Sequence, residues 1–368
     1  MAQISGGSSL GIRMDLVSVA DLFDGTVITK SSTQLRIDIG AGYIESFTGT
    51  GFSFNSNGAP VAGTITDIGE TLNGAVSFTV TGLSTNAAQF YSFVPMDDTR
   101  SALNLLFVGD DDMHGTAQPD AMSGYAGHDN LFGGNGADTL LGGPGNDHIY
   151  GQSPNGGSDG NDILVGEEGS DYLQGNAGND SIDGGDGSDR VQGGRDDDVL
   201  AGGTGNDSIN GNLGNDSISG DADSDSLRGG QGNDTIIGGS GNDQIQGDLG
   251  VDRLTGGSGA DSFVFGGGAA LFAGASADVV TDFEDGLDVL KVGYLPLAVL
   301  TGSSATFTNA ATLAQQLFDG HAGTSEAAAI KVGSDTFLFY SSNNGGSADS
   351  AVQLSGIDVS AVTVADFG

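Results

Sequence analysis

The chain has 368 residues, 49 of them acidic and 10 basic, for a formal charge of -39. A charge of that sign and size excludes nucleic acid as a natural partner and disfavours anionic membrane surfaces, which leaves cations as the expected partners. Cysteine is absent, which removes disulfides, thiolate metal sites and cysteine nucleophiles together, while 67 glycines and no tryptophan speak against an ordinary packed core through much of the length.

The opening stretch, MAQISGGSSLGIRMDLVSVA, has no basic segment followed by an apolar one, and no apolar run approaches the roughly 18 residues of a membrane span. Export is therefore expected to use no cleaved N-terminal signal. Residues 1–105 contain the alternating runs QLRIDIG, AVSFTVTGL and QFYSFV between Gly, Asn and Ser turns, which predicts an antiparallel β-domain. An enzyme would have its site here. No H-E-x-x-H occurs, so zinc-protease chemistry lacks its ligands. GSSLG, Gly7 to Gly11, has the spelling G-x-S-x-G, but no strand precedes it and the domain has no histidine to activate the serine. Glu45 and Glu70 are the carboxylates to try as a glycosidase pair, and nothing in the sequence selects them over surface charge. No catalytic residue is assigned, and no enzyme activity is expected.

Beyond residue 105 the chain becomes periodic. Asp111, Asp120, Asp129, Asp138 and Asp147 recur every nine residues; after a six-residue insertion, GQSPNG at 151–156, the spacing resumes at Asp162, Asp171, Asp180, Asp189, Asp198, Asp207, Asp216, Asp225, Asp234, Asp243, Asp252 and Asp261. Two residues after each aspartate stands an apolar side chain, from Met113 and Met122 in a degenerate lead-in, through Leu131, Leu140 and Ile149, to Leu254 and Phe263. A disordered Gly/Asp linker has no use for a fixed apolar position, so the periodicity predicts a folded repeat.

The unit, as in GGTGNDSIN at 202–210, resembles the G-G-x-G-x-D-x-U-x nonapeptide of RTX (repeat-in-toxin) proteins, which implies a calcium-binding parallel β-roll. Physical reasoning agrees. Glycines at the first, second and fourth positions admit the positive φ of a tight turn, and the last three residues form a short strand whose middle side chain points inward. Two nonapeptides make a coil, and coils stack about 4.8 Å apart. Aspartates eighteen residues apart then fall in rows: Asp207, Asp225 and Asp243 on one edge, Asp216, Asp234 and Asp252 on the other. Neighbours in a row repel by about 1 kcal/mol in water and about 3 kcal/mol at an effective dielectric near 20. In the family each ion is held by the sixth-position carboxylate with turn carbonyls of the adjacent coil, so the resemblance implies Asp129 through Asp261 of the series as Ca²⁺ ligands, an all-oxygen set suited to that ion over Mg²⁺ or zinc. With one aliphatic side chain per nine residues the core is thin, and calcium binding and folding are expected to be one event.

Several positions depart from the pattern. Asp196 and Asp223 replace the fourth-position glycine and Asp221 and Asp248 the second, which puts the local turn in doubt; Gln118 and Pro119 weaken the unit around Asp120. The insertion is expected to bulge as a loop from one roll. His114, His128, His148 and His321 are scattered, and surface or turn positions account for them. Downstream, Asp282 to Leu290 resembles the D-F-x-x-G-x-D-x-U cap that comes after such tracts; its cluster Asp282, Glu284, Asp285 and Asp288 either holds another cation or closes the last coil as a solvated turn. AAIKVGSDTFLFYSS is strand-like, and Thr312 to Phe318 predicts a short helix with Leu313 and Leu317 on one face. The closing SAVTVADFG resembles in part the uncleaved C-terminal signal of type I secretion substrates.

The expected fold is all-β: a parallel β-roll at 106–264, flanked by the N-terminal antiparallel β-domain at 1–105 and a β-rich cap with the secretion-signal region at 265–368. The expected function is that of a secreted, calcium-binding structural protein of a bacterial cell surface or extracellular matrix. A solenoid's ends need a cap or another chain, and a head-to-tail contact that does not close into a ring gives filaments or a layer, so self-association is expected, with cell-surface polysaccharide as a further partner. Two competing readings are a secreted enzyme or toxin active in residues 1–105, and a diffusible carbohydrate- or cell-binding module.

Overall fold

The computed structural model describes residues 3–6, 26–30, 34–40, 43–54, 60–72, 75–86, 109–115, 117–152, 159–265, 277–292, 298–320, 326–340 and 350–367. The chain divides into two compact units, Met1–Ala177 and Gly178–Gly368.

In the first unit the strands Thr26–Lys30, Gln34–Gly40, Tyr43–Phe54, Pro60–Leu72 and Ala75–Asn86 pair antiparallel in chain order. This is the antiparallel arrangement that the alternation in QLRIDIG and AVSFTVTGL predicts; QFYSFV and GSSLG lie outside the described residues. Glu45 stands opposite Glu70 in the register. The first strand, Gln3–Gly6, pairs antiparallel with Ala75–Asn86 and parallel with Asp112–His114, so one short segment splices the N-terminal sheet onto the first coil of the repeats.

From there the repeats coil. Asp112–His114, Asn130–Gly134, His148–Gln152 and Tyr172–Ala177 stack in parallel as one wall. Ala121–Ser123, Thr139–Pro144 and Ile163–Glu168 form the facing one. In the second unit Arg190–Arg195, Ser208–Leu213, Ser226–Gln231, Gln244–Leu249, Ser262–Val264 and Val289–Lys291 make one wall. Ser181–Asp186, Val199–Thr204, Ser217–Ala222, Thr235–Ser240, Arg253–Ser258 and Asp278–Val280 make the other. Both units thus contain a parallel β-roll of two nonapeptides per coil.

The inward side chain of each repeat is the apolar one that the periodicity selects, and from Met113 to Phe263 all are at most 2% exposed. The strands are longer than expected. Most run six residues, from the seventh position of one repeat through the third of the next, as in Ser208–Leu213, with the second position already at positive φ, as at Asn212 (φ 74°). The second- and fourth-position departures leave the turn intact, because Asp196, Asp221, Asp223 and Asp248 adopt φ of 71–73° in the left-handed region. Asp and Asn tolerate that region better than most residues with a side chain. In the first unit an outward stack adds to coil cohesion: the rings of His114, Phe132 and Tyr150 lie 4.6 and 5.0 Å apart, nearly parallel.

The C-terminal part of the second unit closes over its own small core. Ala298–Ser304 and Glu326–Val332 are parallel neighbours, the geometry that calls for a crossover, and the helix Phe307–Gly320 provides it. A tight turn at Gly333 leads into Asp335–Tyr340, which pairs antiparallel with Ser350–Leu354; that last strand runs parallel to Asp278–Val280. The helix is longer than Thr312 to Phe318 because Thr306 caps it, its Oγ1 accepting from Asn309 N–H. Its buried stripe is Ala310, Ala314 and Phe318, with Leu313 and Leu317 half-buried beside it, packed on Ala277, Ala328, Ile330, Phe339 and Ala351.

Candidate metal centre

Every predicted aspartate from Asp129 to Asp261 is buried, at 1–3% exposure, as are Asp111 and Asp120 of the lead-in at 2%. They stand in rows because the apolar residue two positions on is locked into the wall, fixing where the sixth-position side chain leaves the turn. Within a row the geometry repeats. The N–H of Asp207 donates to Oδ1 of Asp225 at 2.8 Å, and that of Asp225 to Oδ1 of Asp243 at 2.9 Å. On the other edge Asp198, Asp216 and Asp234 donate likewise to Asp216, Asp234 and Asp252. The first unit does the same at Asp111 to Asp129, Asp129 to Asp147 and Asp120 to Asp138.

The insertion leaves both rows in step. Asp138 donates to Asp162 and Asp147 to Asp171, each across 24 residues. Gly151 and Gln152 continue the strand His148–Gln152, and residues 153–158 of the loop lie outside the described residues.

One oxygen of each carboxylate is thereby satisfied. The other is not: Oδ2 of Asp129, Asp138, Asp147, Asp198, Asp207, Asp216, Asp225, Asp234, Asp243, Asp252 and Asp261 is buried and accepts no hydrogen bond. A carboxylate oxygen removed from water without a partner costs several kcal/mol unless something cationic or a proton meets it. Backbone oxygens converge on the same places. The point where a Cβ on Gly184 would sit is 2.6 Å from both Asp189 Oδ2 and the carbonyl oxygen of Gly202, one coil on. At the second and fourth positions a methyl on Gly203 (φ 104°) or Gly205 (φ 114°) would overlap the carbonyl oxygens of Gly185 and Gly187, so these carbonyls point along the stack into the gap between turns.

The bare rows are protonated far more readily than ordinary carboxylates. Burial pushes Asp129 and Asp198 up to about 8, Asp138, Asp225 and Asp234 to about 7, and Asp147, Asp207, Asp252 and Asp261 to about 6. The N–H that each accepts opposes the rise. Row neighbours add to it at several positions, as Asp207 and Asp243 do at Asp225.

A second ladder is one that the spacing of aspartates does not predict. The residue before each aspartate, most often Asn, accepts from the backbone of the next coil: Asn215 N–H donates to Asp197 Oδ1 at 2.7 Å, Asn233 to Asn215 Oδ1 and Val251 to Asn233 Oδ1, both at 2.9 Å. The other edge reads Asn206, Ser224, Asn242 and Ala260. His128 belongs here, its Nδ1 accepting from Asn146 N–H at 2.8 Å. His114 instead meets Asp112, and His148 meets Asn130; His321 lies outside the described residues. The recurring GND in the sequence was the available signal.

At the end of the roll the two alternatives for the acidic cluster can be weighed. Asp282 accepts from the N–H groups of Gly256 and Gly257 at 2.9 and 2.8 Å, and Asp288 from those of Asp261 and Glu284 at 3.0 and 2.8 Å. These contacts are those of a turn that closes the last coil.

The donor set fits one class of ion. Among the described residues no three His, Cys, Asp or Glu side chains gather as a metal cluster. A cation in the rows must therefore combine carboxylate with backbone oxygens, the hard and irregular coordination that Ca²⁺ accepts and that octahedral Mg²⁺ or a nitrogen- and sulfur-seeking metal does not.

The family comparison agrees with this geometry. A model described as the RTX calcium-binding nonapeptide repeat (4 copies) matches residues 107–140, 132–153, 156–191, 192–227, 219–254, 228–263 and 237–271. No curated protein matches the chain. Residues 107–271 of this chain are an array of RTX calcium-binding nonapeptide repeats, a type of repeat that binds several calcium ions.

Proposed function

We propose that this is a secreted structural protein of a bacterial surface layer or extracellular matrix, without catalytic activity, whose roll folds when it meets extracellular calcium. The ligands are the carboxylates of Asp129, Asp138, Asp147, Asp162, Asp171, Asp180, Asp189, Asp198, Asp207, Asp216, Asp225, Asp234, Asp243, Asp252 and Asp261 with the turn carbonyls beside them. The observation that carries the reading is the carboxylate, repeated at Asp207, Asp225 and Asp243 and at Asp216, Asp234 and Asp252, with one oxygen held by the backbone and the other buried without a partner. A bound divalent cation supplies the positive charge that such rows lack, and where calcium is scarce, as inside cells, the chain stays open for export. The partial resemblance of SAVTVADFG to a C-terminal secretion signal supports that route.

Self-association is supported by two edge strands. Among the described residues Thr26–Lys30 pairs only with Gln34–Gly40, and Ala298–Ser304 only with Glu326–Val332, so each is the end strand of its sheet. The division into 1–105, 106–264 and 265–368 assigns these edges to different parts of the chain, as a head-to-tail contact requires. Circular dichroism and electron microscopy of the purified protein in chelator and in millimolar calcium test the proposal. Calcium-dependent β structure with filaments or sheets is expected. An unchanged spectrum overturns calcium-coupled folding, a monomer at all concentrations overturns assembly, and a hydrolase activity in residues 1–105 replaces the structural role with an enzymatic one.

A further inference from the structure

The two rows of the second unit continue past the last nonapeptide, and they end differently. On one edge Asp261 N–H donates to Asp288 Oδ1 at 3.0 Å. Asp288 Oδ2 accepts from Glu284 N–H at 2.8 Å, so both oxygens of the final carboxylate are used. On the other edge Asp252 N–H donates to Asp278 Oδ1 at 3.1 Å. Asp278 is 1% exposed, and its Oδ2 is buried and accepts nothing, as is Oδ2 of Asp252 beside it. The strand that begins at Asp278 follows the pattern of the repeats: Val280, two residues on, is fully buried and lies opposite Leu254 in a parallel pair.

We infer that Asp278, which lies outside the family match at 107–271, is a cation ligand, and that a divalent ion is held by the buried Oδ2 atoms of Asp252 and Asp278 while the row ending in Asp288 takes none after Asp261. The inference rests on the calcium reading of the rows. Its physical basis is the contrast between two carboxylates at equivalent places: the chain provides Asp288 with a second backbone donor and leaves Asp278 without one.

The consequence is specific to the C-terminal cap. Asp278–Val280 is paired on one side with Arg253–Ser258 and on the other, in parallel, with Ser350–Leu354, and Ala277 belongs to the core under the helix Phe307–Gly320. An ion at Asp278 therefore joins the last coil to the cap, making closure of the cap depend on calcium although the cap contains no nonapeptide.

The test is a calcium anomalous-difference map from crystals of the full chain, together with bound calcium per chain after desalting for the unaltered protein, Asp278→Asn and Asp288→Asn. The expected result is a peak between Asp252 and Asp278, none beyond Asp261 on the other edge, one ion fewer per chain in Asp278→Asn and an unchanged count in Asp288→Asn. Peaks along the Asp207, Asp225 and Asp243 row with none at Asp278 would overturn this inference alone; no peaks in either row would overturn the calcium reading as well. The map uses the unaltered protein, so the inference stays testable if Asp278→Asn does not fold.

Discussion

Asp207 and Asp225, eighteen residues apart in the chain, are joined by one hydrogen bond from the backbone N–H of the first to Oδ1 of the second, at 2.8 Å, while Oδ2 of both stays buried and unbonded. Each carboxylate is thus half structural and half open. Substitutions can separate the halves. Asp225→Asn keeps an acceptor for Asp207 N–H and removes the charge, so it should raise the calcium needed for folding. Asp225→Ala also leaves that N–H unsatisfied and should cost a further 1–3 kcal/mol, roughly, in calcium-saturated stability. Replacing Asp207, Asp225 and Asp243 together by Ala should raise the calcium midpoint more than any single change. Denaturant titrations at fixed calcium check both halves; equal effects of Asn and Ala would count against the backbone role.

The bare rows predict an unusual pH dependence. With folded values of about 6 to 8 against about 3.9 in an unfolded chain, the calcium-free roll binds more protons than the unfolded chain throughout that interval. Its stability should be fully present below about pH 4 and fall as pH rises through 6 to 8. In chelator, β structure by circular dichroism should therefore increase on acidification from pH 8 toward pH 4. In saturating calcium the ion takes the place of the proton, and β structure should be present at pH 8 without acidification. Loss of β structure on acidifying the chelated protein would contradict the raised carboxylates.

Turn glycines should differ sharply by place. A Cβ on Gly205 meets the Gly187 carbonyl oxygen, whereas one on Gly286 (φ 78°) has nothing within 4 Å. Gly286→Ala should cost about 1–2 kcal/mol from the left-handed backbone alone. Gly205→Ala should cost more, because two stacked turns must move apart. Thermal melts in saturating calcium measure the difference; equal losses would mean that the gap between turns is not fixed.

The outer ladder should matter without calcium ligation. Asn215→Ala and Asn233→Ala each remove an acceptor for a backbone N–H in the next coil. About 0.5–1.5 kcal/mol apiece is expected, with bound calcium unchanged. Loss of ions in either variant would move these side chains into the metal site.

The C-terminal residues are expected to serve export only while the chain is unfolded. Phe367 is buried and bridges to Leu290, and Thr363 with Asp366 forms a capping box. Removing about the last 60 residues should leave the protein inside a cell with a type I apparatus, whereas removing residues 1–105 should not. Equal amounts of the C-terminal truncation in the medium would refute the assignment.

The rows and the core are legible in the sequence because each is a single residue type at a fixed spacing: Asp at the sixth position and an aliphatic two residues later. Asp278 is written in the same grammar, as Asp-Val-Val, but its distance from Asp261 breaks the nine-residue count, and period alone does not reach it. The asparagine before each aspartate is visible as GND, yet Asn in a turn needs no partner to be plausible, so its ladder emerges only from the stacked coils. Strand length escapes for a different reason. Glycine pairs signal turns, yet here the second and third positions still pair with the next coil, as Asn212 does with Gly230 and Leu213 with Gln231, although the second is at positive φ.

The two edges of the roll are equal in repeat length but lead into different segments of the cap, and this gives the number of nonapeptides a parity. Removing two of them shortens the roll by a whole coil and leaves Asp278 on its present edge. Removing the last one, at Asp261, would stack Asp278 on Asp243 and Asp288 on Asp252, presenting the sheet that carries Ser350–Leu354 to the opposite side. The roll itself would survive either change, because its rows depend only on neighbours one coil apart. Length can therefore drift by eighteen residues at a time without disturbing the C-terminal cap, whereas a nine-residue step reverses it.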